Sequence, residues 1–164
     1  MIIVKDSMVL IHLAKITLLE NSCDYFKKVF ITEKIKEEIA RGNYPDSKII
    51  GMLITKNKIK IKSIKNNTLI RKANEFNIQG AEAEAIALYW ELKADFIATD
   101  DDNVRKKRDV LNLNVIGTPV IILKLYKEKK ITKVKLEEAI QKLRKIGWFS
   151  NTVWDKINME LSKK

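Results

Sequence analysis

Cysteine, glycine and proline are all scarce in the sequence. Its 164 residues include one cysteine, Cys23, with five glycines and two prolines. A single cysteine cannot form an internal disulfide or a cysteine-based zinc site, so a reducing compartment is expected. Few glycines and prolines exclude collagen-like and low-complexity chains, and 46% hydrophobic residues exclude disorder. The length therefore predicts one globular domain with a single core.

Long apolar runs are also missing. The longest, residues 8–19, is interrupted by His12 and Lys15 and is too short to span a membrane. Asp6 precedes this run and no small-residue cleavage site follows it, which argues against a signal peptide. We therefore expect a cytoplasmic protein that does not contact a membrane.

Negative charge is outweighed by positive charge. The chain has 32 Lys and Arg against 21 Asp and Glu, which gives a formal net charge of +11. Such a field favours polyanionic partners, nucleic acid first. The alternative is a lysine surplus that serves solubility alone.

Short apolar runs alternate with helical segments along the chain. The predicted strands are residues 2–4, 29–32, 58–62, 96–99 and 115–116. Helices are predicted between them, including one from Gly80 to residue 93, one that reaches Leu111 and one capped by Thr118. Strands separated by helices predict an α/β fold with a central parallel sheet flanked by helices.

The C-terminal part is predicted to be helical. Residues 134–146 and 152–161 have amphipathic patterns, with Gly147 between them. We divide the chain into a sheet-containing domain, residues 1–130, and a helical extension, residues 131–164, packed on the same domain.

Acidic residues follow two of the predicted strands. Asp6 follows the first strand, and Asp100 and Asp101 follow the fourth. Open α/β sheets bind ligands beyond the carboxyl ends of their strands, near the switch in strand order. Each aspartate has an alternative role, because aspartate is also a common helix cap.

Two predicted helices add glutamates. Glu38 lies at the edge of the apolar stripe that contains Ile35, whereas Glu37 points nearly opposite Ile35 and is predicted to be exposed. Glu82 and Glu84 lie about 200° apart around their helix, so they cannot serve one site equally. Glu82 has an alternative role, since a glutamate in a first turn complements the helix dipole.

The order of these motifs resembles the PIN-domain family, and within it the branch of VapC-like toxin ribonucleases. The resemblance covers residues 2–117, and residues 143–150 resemble the end of that branch. Its motifs are Asp6-Ser7, Glu38-Ile39, residues 82–88, Thr99-Asp100-Asp101 and residues 115–118. The resemblance implies a PIN-like fold, RNA as substrate, a role as the toxin of a toxin–antitoxin pair, an antitoxin partner and a homodimer.

The resemblance also implies the site residues. The implied catalytic and metal-binding acids are Asp6, Glu38, Glu82, Asp100 and Asp101. Glu84 stands in reserve, because the branch has Gly-Glu where Ala81 here separates Gly80 from Glu82. Asp102 extends the acidic run, so which of its three carboxylates reaches a metal is left open. Ser7 and Thr99 match supporting hydroxyl residues.

Oxygen ligands without histidine or cysteine select Mg²⁺ or Mn²⁺ over zinc. One or two such ions can lower the pKa of a bound water and stabilise the oxygen that departs from phosphorus. The predicted reaction is therefore phosphodiester hydrolysis without a covalent enzyme intermediate, and the resemblance implies that the enzyme is a metal-dependent endoribonuclease.

Other residues give weaker signals. A basic run that follows the acids is a candidate nucleic-acid contact or a solvated helix face: Arg105, Lys106, Lys107 and Arg108. His12 is predicted to be packed, with no histidine near the acids. Trp90, Trp148 and Trp154 could stack on bases, but core and tail packing is preferred.

Two other functions are compatible with the pattern. A catalytically inactive nucleic-acid-binding module with a PIN-like fold would show no carboxylate-dependent metal site. A phosphoacceptor domain of the receiver kind also has acids at strand ends, but it needs a lysine after the last strand, where Gly117 and Thr118 stand.

Overall fold

The computed structural model describes residues 1–163 and contains a five-stranded sheet flanked by helices. All strands are parallel. The strands are β1 (Ile2–Lys5), β2 (Lys28–Ile31), β3 (Ile59–Ile61), β4 (Phe96–Ala98) and β5 (Val115–Ile116). The predicted α/β class and all five predicted strands are confirmed.

The strand order is β3-β2-β1-β4-β5, so β1 lies in the centre. From β1 the chain adds β2 and β3 on one side, and then β4 and β5 on the other. The order therefore reverses between β1 and β4, which pair with Lys5 opposite Ala98. The carboxyl ends of these two strands form the switch point at which α/β sheets bind ligands.

Ten helices connect and follow the strands within the described residues. They are α1 (Ser7–Lys15), α2 (Leu19–Phe26), α3 (Glu33–Arg41), α4 (Ser47–Thr55), α5 (Asn67–Asn74), α6 (Gly80–Leu92), α7 (Asp102–Lys106), α8 (Thr118–Lys127), α9 (Lys133–Ile146) and α10 (Asn151–Ser162). None of the helices in residues 1–163 combines the length and the apolarity needed to cross a bilayer.

Three helices differ from the prediction. α2 and α5 were not predicted, because both are short and rich in polar residues, and no side-chain cap marks the start of α2. The helix predicted to reach Leu111 ends at Lys106. The chain continues in turns, and Asn112, in the left-handed conformation (φ 53°), ends them. Val104 and Leu111 are nonetheless both buried.

The C-terminal helices contribute to the same core as the sheet. Leu136 and Leu143 of α9 are buried, as are Trp154 and Ile157 of α10. α8 contacts both α9 and α10. A domain boundary at residue 131 stays a prediction.

A lysine lies inside the core at the end of the central strand. Lys5 is fully buried, its Nζ donates to the Ser22 hydroxyl, and it lies 5.5 Å from the centre of the Phe26 ring. Burial lowers the pKa of Lys5 to about 8. Below that pH the folded protein holds a charge that the unfolded chain would expose to water, so Lys5 destabilises the fold.

We expect Lys5→Met to raise the melting temperature at pH 7, with a smaller gain at pH 10. The penalty of the charged lysine is fully present below pH 8 and is relieved as the pH rises toward 10.5, by about 3 kcal/mol in total. Thermal unfolding followed by circular dichroism at both pH values measures the difference. Lys60→Met, at an exposed position of β3, is the matched control. A gain from Lys5→Met that does not depend on pH would contradict this explanation.

Candidate functional site

Two acids lie at the switch point because they follow paired strands. The backbone N–H of Asp6 donates to the carbonyl of Ala98 at 3.0 Å, which continues the ladder between β1 and β4. Asp100 stands two residues after β4. The sheet thus brings together residues that are 94 positions apart in the chain (100 − 6).

Asp6 is almost fully buried, with 7% of its surface exposed. Its Oδ1 caps α1 by accepting from the backbone N–H of Val9 at 2.9 Å. The pKa of Asp6 is raised to about 7, mainly by burial and in addition by the charges of Asp100 and Glu82, while hydrogen bonds from Thr99 and Val9 oppose the shift. This one carboxylate therefore both caps α1 and lines the pocket of acids described below.

The predicted acids line one pocket of about 330 Å³. Its lining residues are Asp6, Ser7, Met8, Glu38, Glu82, Asp100, Asp101 and Asp102. Glu38 is exposed, and α3 directs it to this pocket. The neighbouring Glu37 is also exposed, and its Oε2 lies 3.4 Å from Nη2 of Arg41.

Glu82 reaches the pocket from the first turn of α6. This helix begins at Gly80, whose φ of 65° is a left-handed conformation that favours glycine. Burial raises the pKa of Glu82, and the charges of Glu38 and Asp101 add to the shift. The reserve residue Glu84 is not brought to this pocket, because it lines a separate cavity with Thr32 and other residues.

Asp100 is held by three hydrogen bonds. Its Oδ1 accepts from the backbone N–H of Thr118 at 2.8 Å, and its Oδ2 accepts from the Thr118 hydroxyl at 2.5 Å. His12 Nδ1 lies 2.8 Å from the same Oδ2. The prediction that no histidine lies near the acids is therefore wrong. Thr118 does not cap α8 as predicted, because Gly117 holds the cap position and the hydroxyl is bound to Asp100.

Asp101 has a different environment. Its Oδ1 caps α7 by accepting from the backbone N–H groups of Asn103, at 2.9 Å, and Val104, at 3.4 Å. The Thr99 hydroxyl accepts from the backbone N–H of Asp101 at 3.1 Å. Thr99 therefore fixes the turn that carries Asp100 and Asp101.

The basic run after the acids does not form one surface. Arg105 lines a cavity beside Asp100. Lys106 pairs with Asp102 at 3.0 Å, Lys107 donates to the carbonyl of Phe76 at 2.5 Å, and Arg108 donates to the carbonyl of Arg105. Arg105 and Lys106 therefore lie beside acids of the pocket, and Lys107 and Arg108 are bound to backbone carbonyls.

The C-terminal segment packs against the same site. The Phe149 ring lies edge-on to His12, with 5.9 Å between ring centres, and to Trp154, with 5.7 Å. Trp90 and Trp154 pack as predicted, whereas the packing predicted for Trp148 is wrong, since 85% of its surface is exposed. No pattern near His12 or Trp148 in the sequence marks these positions, which depend on how the tail docks.

The donor atoms of the pocket fit a hydrated divalent cation. Across residues 1–163, no three His, Cys, Asp or Glu side chains are grouped closely enough to hold an ion by themselves. In the same residues, no lysine or arginine forms an ion pair with Asp6, Glu38, Glu82 or Asp101. Mg²⁺ uses oxygen ligands, keeps several waters and commonly needs only one or two carboxylates.

The parallel sheet and its carboxylate-lined pocket define an α/β protein with an acidic pocket at the switch point of the sheet. The chain belongs to the PIN-domain family, since the model of the family DUF3368, a PIN domain, matches residues 2–163. This match confirms the PIN-domain resemblance and gives the chain a nuclease-type fold. No curated protein and no solved structure matches the chain significantly.

Proposed function

We propose that the chain is a Mg²⁺- or Mn²⁺-dependent endoribonuclease that hydrolyses phosphodiester bonds of RNA. One observation carries the proposal: in a chain of net charge +11, four acids of one pocket have no cationic side chain paired with them in residues 1–163. Clustered carboxylates repel one another, and burial penalises the charges of Asp6 and Glu82. A bound cation would remove both penalties.

The residues that would hold one or two ions, directly or through water, are Asp6, Glu38, Glu82, Asp100 and Asp101. A bound divalent ion would lower the pKa of a water and stabilise the departing oxygen. Asp101 caps α7 with its Oδ1, so its other carboxylate oxygen would be free to bind a metal ion or to orient a water. Asp100 is fixed by Thr118 and His12, so its charge keeps one position beside the pocket. The Ser7 side chain lines the same pocket.

The biological setting follows from the resemblance to the VapC-like branch. We propose a cytoplasmic toxin that acts on RNA, forms a homodimer and is neutralised by an antitoxin protein. The positive charge of the chain supports an RNA substrate, because it attracts phosphates without regard to sequence. Of the predicted basic set, Arg105 is the candidate for contact with RNA phosphates beside the acids, because it lines a cavity together with Asp100.

The test is cleavage of single-stranded RNA by the purified chain with Mg²⁺ or Mn²⁺. We expect EDTA to stop cleavage and added Mn²⁺ to restore it. Glu38→Gln should lower the rate by about 10- to 100-fold. Glu37→Gln, the same change one position away on the same helix, should leave the rate unchanged because Glu37 pairs with Arg41 instead.

Cleavage that survives EDTA would contradict the proposal. RNA binding without cleavage under any of these conditions would favour the alternative, a catalytically inactive nucleic-acid-binding module.

A further inference from the structure

A second cavity, of about 250 Å³, adjoins the acidic pocket. Asp100 and Asp102 line both, so the two cavities are adjacent. We propose that this second cavity binds an unpaired nucleotide of the RNA beside the scissile phosphate, with the base stacked on Trp148 and a phosphate bound by Arg105. The inference rests on the proposed function, for which it adds a substrate-binding site and limits the substrate to single-stranded RNA.

Trp148 is exposed although its neighbours are anchored. It has the largest exposed fraction, 85%, among the exposed large hydrophobic side chains of the described residues. Phe149 turns inward against His12 and Trp154, and Ser150 caps α10. On the other side, Gly147 passes so close to His12 that a Cβ there would lie 3.2 Å from its ring. The backbone on both sides of Trp148 is therefore fixed by packing, and its exposed ring is presented from an anchored segment.

Arg105 provides the positive charge of the cavity. In residues 1–163 its side chain forms no ion pair, in contrast to Lys106. Gly117 leaves room for it, because a Cβ on Gly117 would lie 2.5 Å from Arg105 Nη1 and 2.9 Å from Asp100 Oδ1. The guanidinium is thus kept at the boundary between the acids and the apolar side chains, with its charge available for a phosphate.

A nucleotide matches this combination of groups. Trp148, Phe149 and Val153 offer apolar and aromatic surface, and Arg105 offers one cation. Nucleic-acid bases have a face that stacks on aromatic side chains, and each is joined to a phosphate that a guanidinium can bind. A double helix hides those faces, so the arrangement selects unpaired nucleotides. Because stacking tolerates every base, little preference for sequence is expected.

The test measures binding, independently of cleavage. A fluorescently labelled oligouridylate is titrated with the chain in EDTA, in parallel with an abasic phosphodiester backbone of the same length. We expect Trp148→Ala to bind the oligouridylate about 5- to 150-fold more weakly and the abasic backbone as well as the unsubstituted chain does. Trp148→Phe should bind within about threefold of the unsubstituted chain, because a phenyl ring still stacks.

The matched control is Val134→Ala, which also shortens an exposed apolar side chain, 65% exposed. Val134 precedes Lys135, whose Nζ contacts Thr17, just beyond the end of α1 that is farthest from Asp6. Val134 therefore lies away from the acids, and Val134→Ala should bind oligouridylate as the unsubstituted chain does. Circular dichroism of each variant verifies the fold.

Equal affinity of Trp148→Ala and the unsubstituted chain for oligouridylate would overturn the inference, whether or not RNA is cleaved. So would a loss of self-association in Trp148→Ala with unchanged oligouridylate binding, which would assign this face to a protein partner. Binding that depends on Trp148 in a chain that cleaves no RNA would support the inference and refute the proposed ribonuclease.

Discussion

Asp6→Asn is expected to lower the rate of RNA cleavage strongly and, at the same time, to stabilise the metal-free protein. Burial raises the pKa of this carboxyl from 3.8 to about 7. A raised pKa means that the neutral form is favoured in the folded state, so stability is lost as the pH rises from 3.8 through 7. Asparagine has no charge to bury, and it retains an oxygen that can accept from Val9 and cap α1.

The stabilisation should be largest above pH 7, on the order of 2–4 kcal/mol, and should fall below about 1 kcal/mol near pH 4, where Asp6 is protonated in the folded state and only partly ionised in the unfolded chain. Cleavage should fall by at least about 100-fold, because the most buried acid of the pocket loses its charge. Thermal unfolding in EDTA at pH 4 and pH 8, together with RNA cleavage in Mg²⁺ at pH 8, measures both effects.

Asp155→Asn, the same change at an exposed position of α10, should alter neither quantity. Full cleavage by Asp6→Asn would show that the charge of Asp6 is not needed for catalysis. A lower melting temperature at pH 8 would show that its carboxylate is stabilised by something other than a bound cation. Because asparagine keeps the cap of α1, a loss of cleavage in a stabilised variant would assign the effect to the charge of Asp6 and not to its capping role.

The acids at strand ends could be predicted because each depends on a local pattern. Asp6 and Asp100 follow apolar β-branched runs, and the parallel sheet then places both at one edge. Glu38 and Glu37 differ only in helical phase, which a single turn of sequence reveals, and the structure directs Glu38 to the pocket and pairs Glu37 with Arg41. Whether these acids bind metal stays a prediction.

The partners of Asp100 could not be predicted in the same way. His12 is 88 residues from Asp100 and reaches it only because β1 and β4 are neighbours in the sheet. Among the leucines and isoleucines of α1, the sequence pattern indicates a buried position but not the polar group that faces it. The exposure of Trp148 could not be predicted either. The pattern of the C-terminal segment predicts helices but does not indicate which of its aromatic side chains is exposed to solvent.

Lys5 illustrates a different limit. At the end of a central strand a lysine is expected to extend to solvent, and its burial depends on α2, which lacks a capping signal and was not predicted. Ser22 of this helix supplies the hydroxyl that accepts from Lys5. Missing one short helix therefore also conceals the environment of the last residue of β1.

Two substitutions of His12 are expected to separate its two contacts. His12 donates to Asp100 through Nδ1, and its ring packs against Phe149. His12→Asn has an amide N–H near the position of Nδ1 but no ring, so it should keep most of the activity and lose about 1–2 kcal/mol of stability. His12→Phe keeps a ring but has no donor, so Asp100 would be held by Thr118 alone.

We expect His12→Phe to lower kcat by about 10- to 100-fold with little change in KM, since a positioning residue orients Asp100 and does not bind RNA. RNA cleavage kinetics and thermal unfolding of both variants give the comparison. A rise in KM with unchanged kcat would instead place His12 in RNA binding. Equal losses of activity in both variants would show that ring packing, and with it the docking of the tail, is what the acidic site requires. The outcome thus decides whether the C-terminal segment only covers the site or controls the orientation of its best-fixed carboxylate.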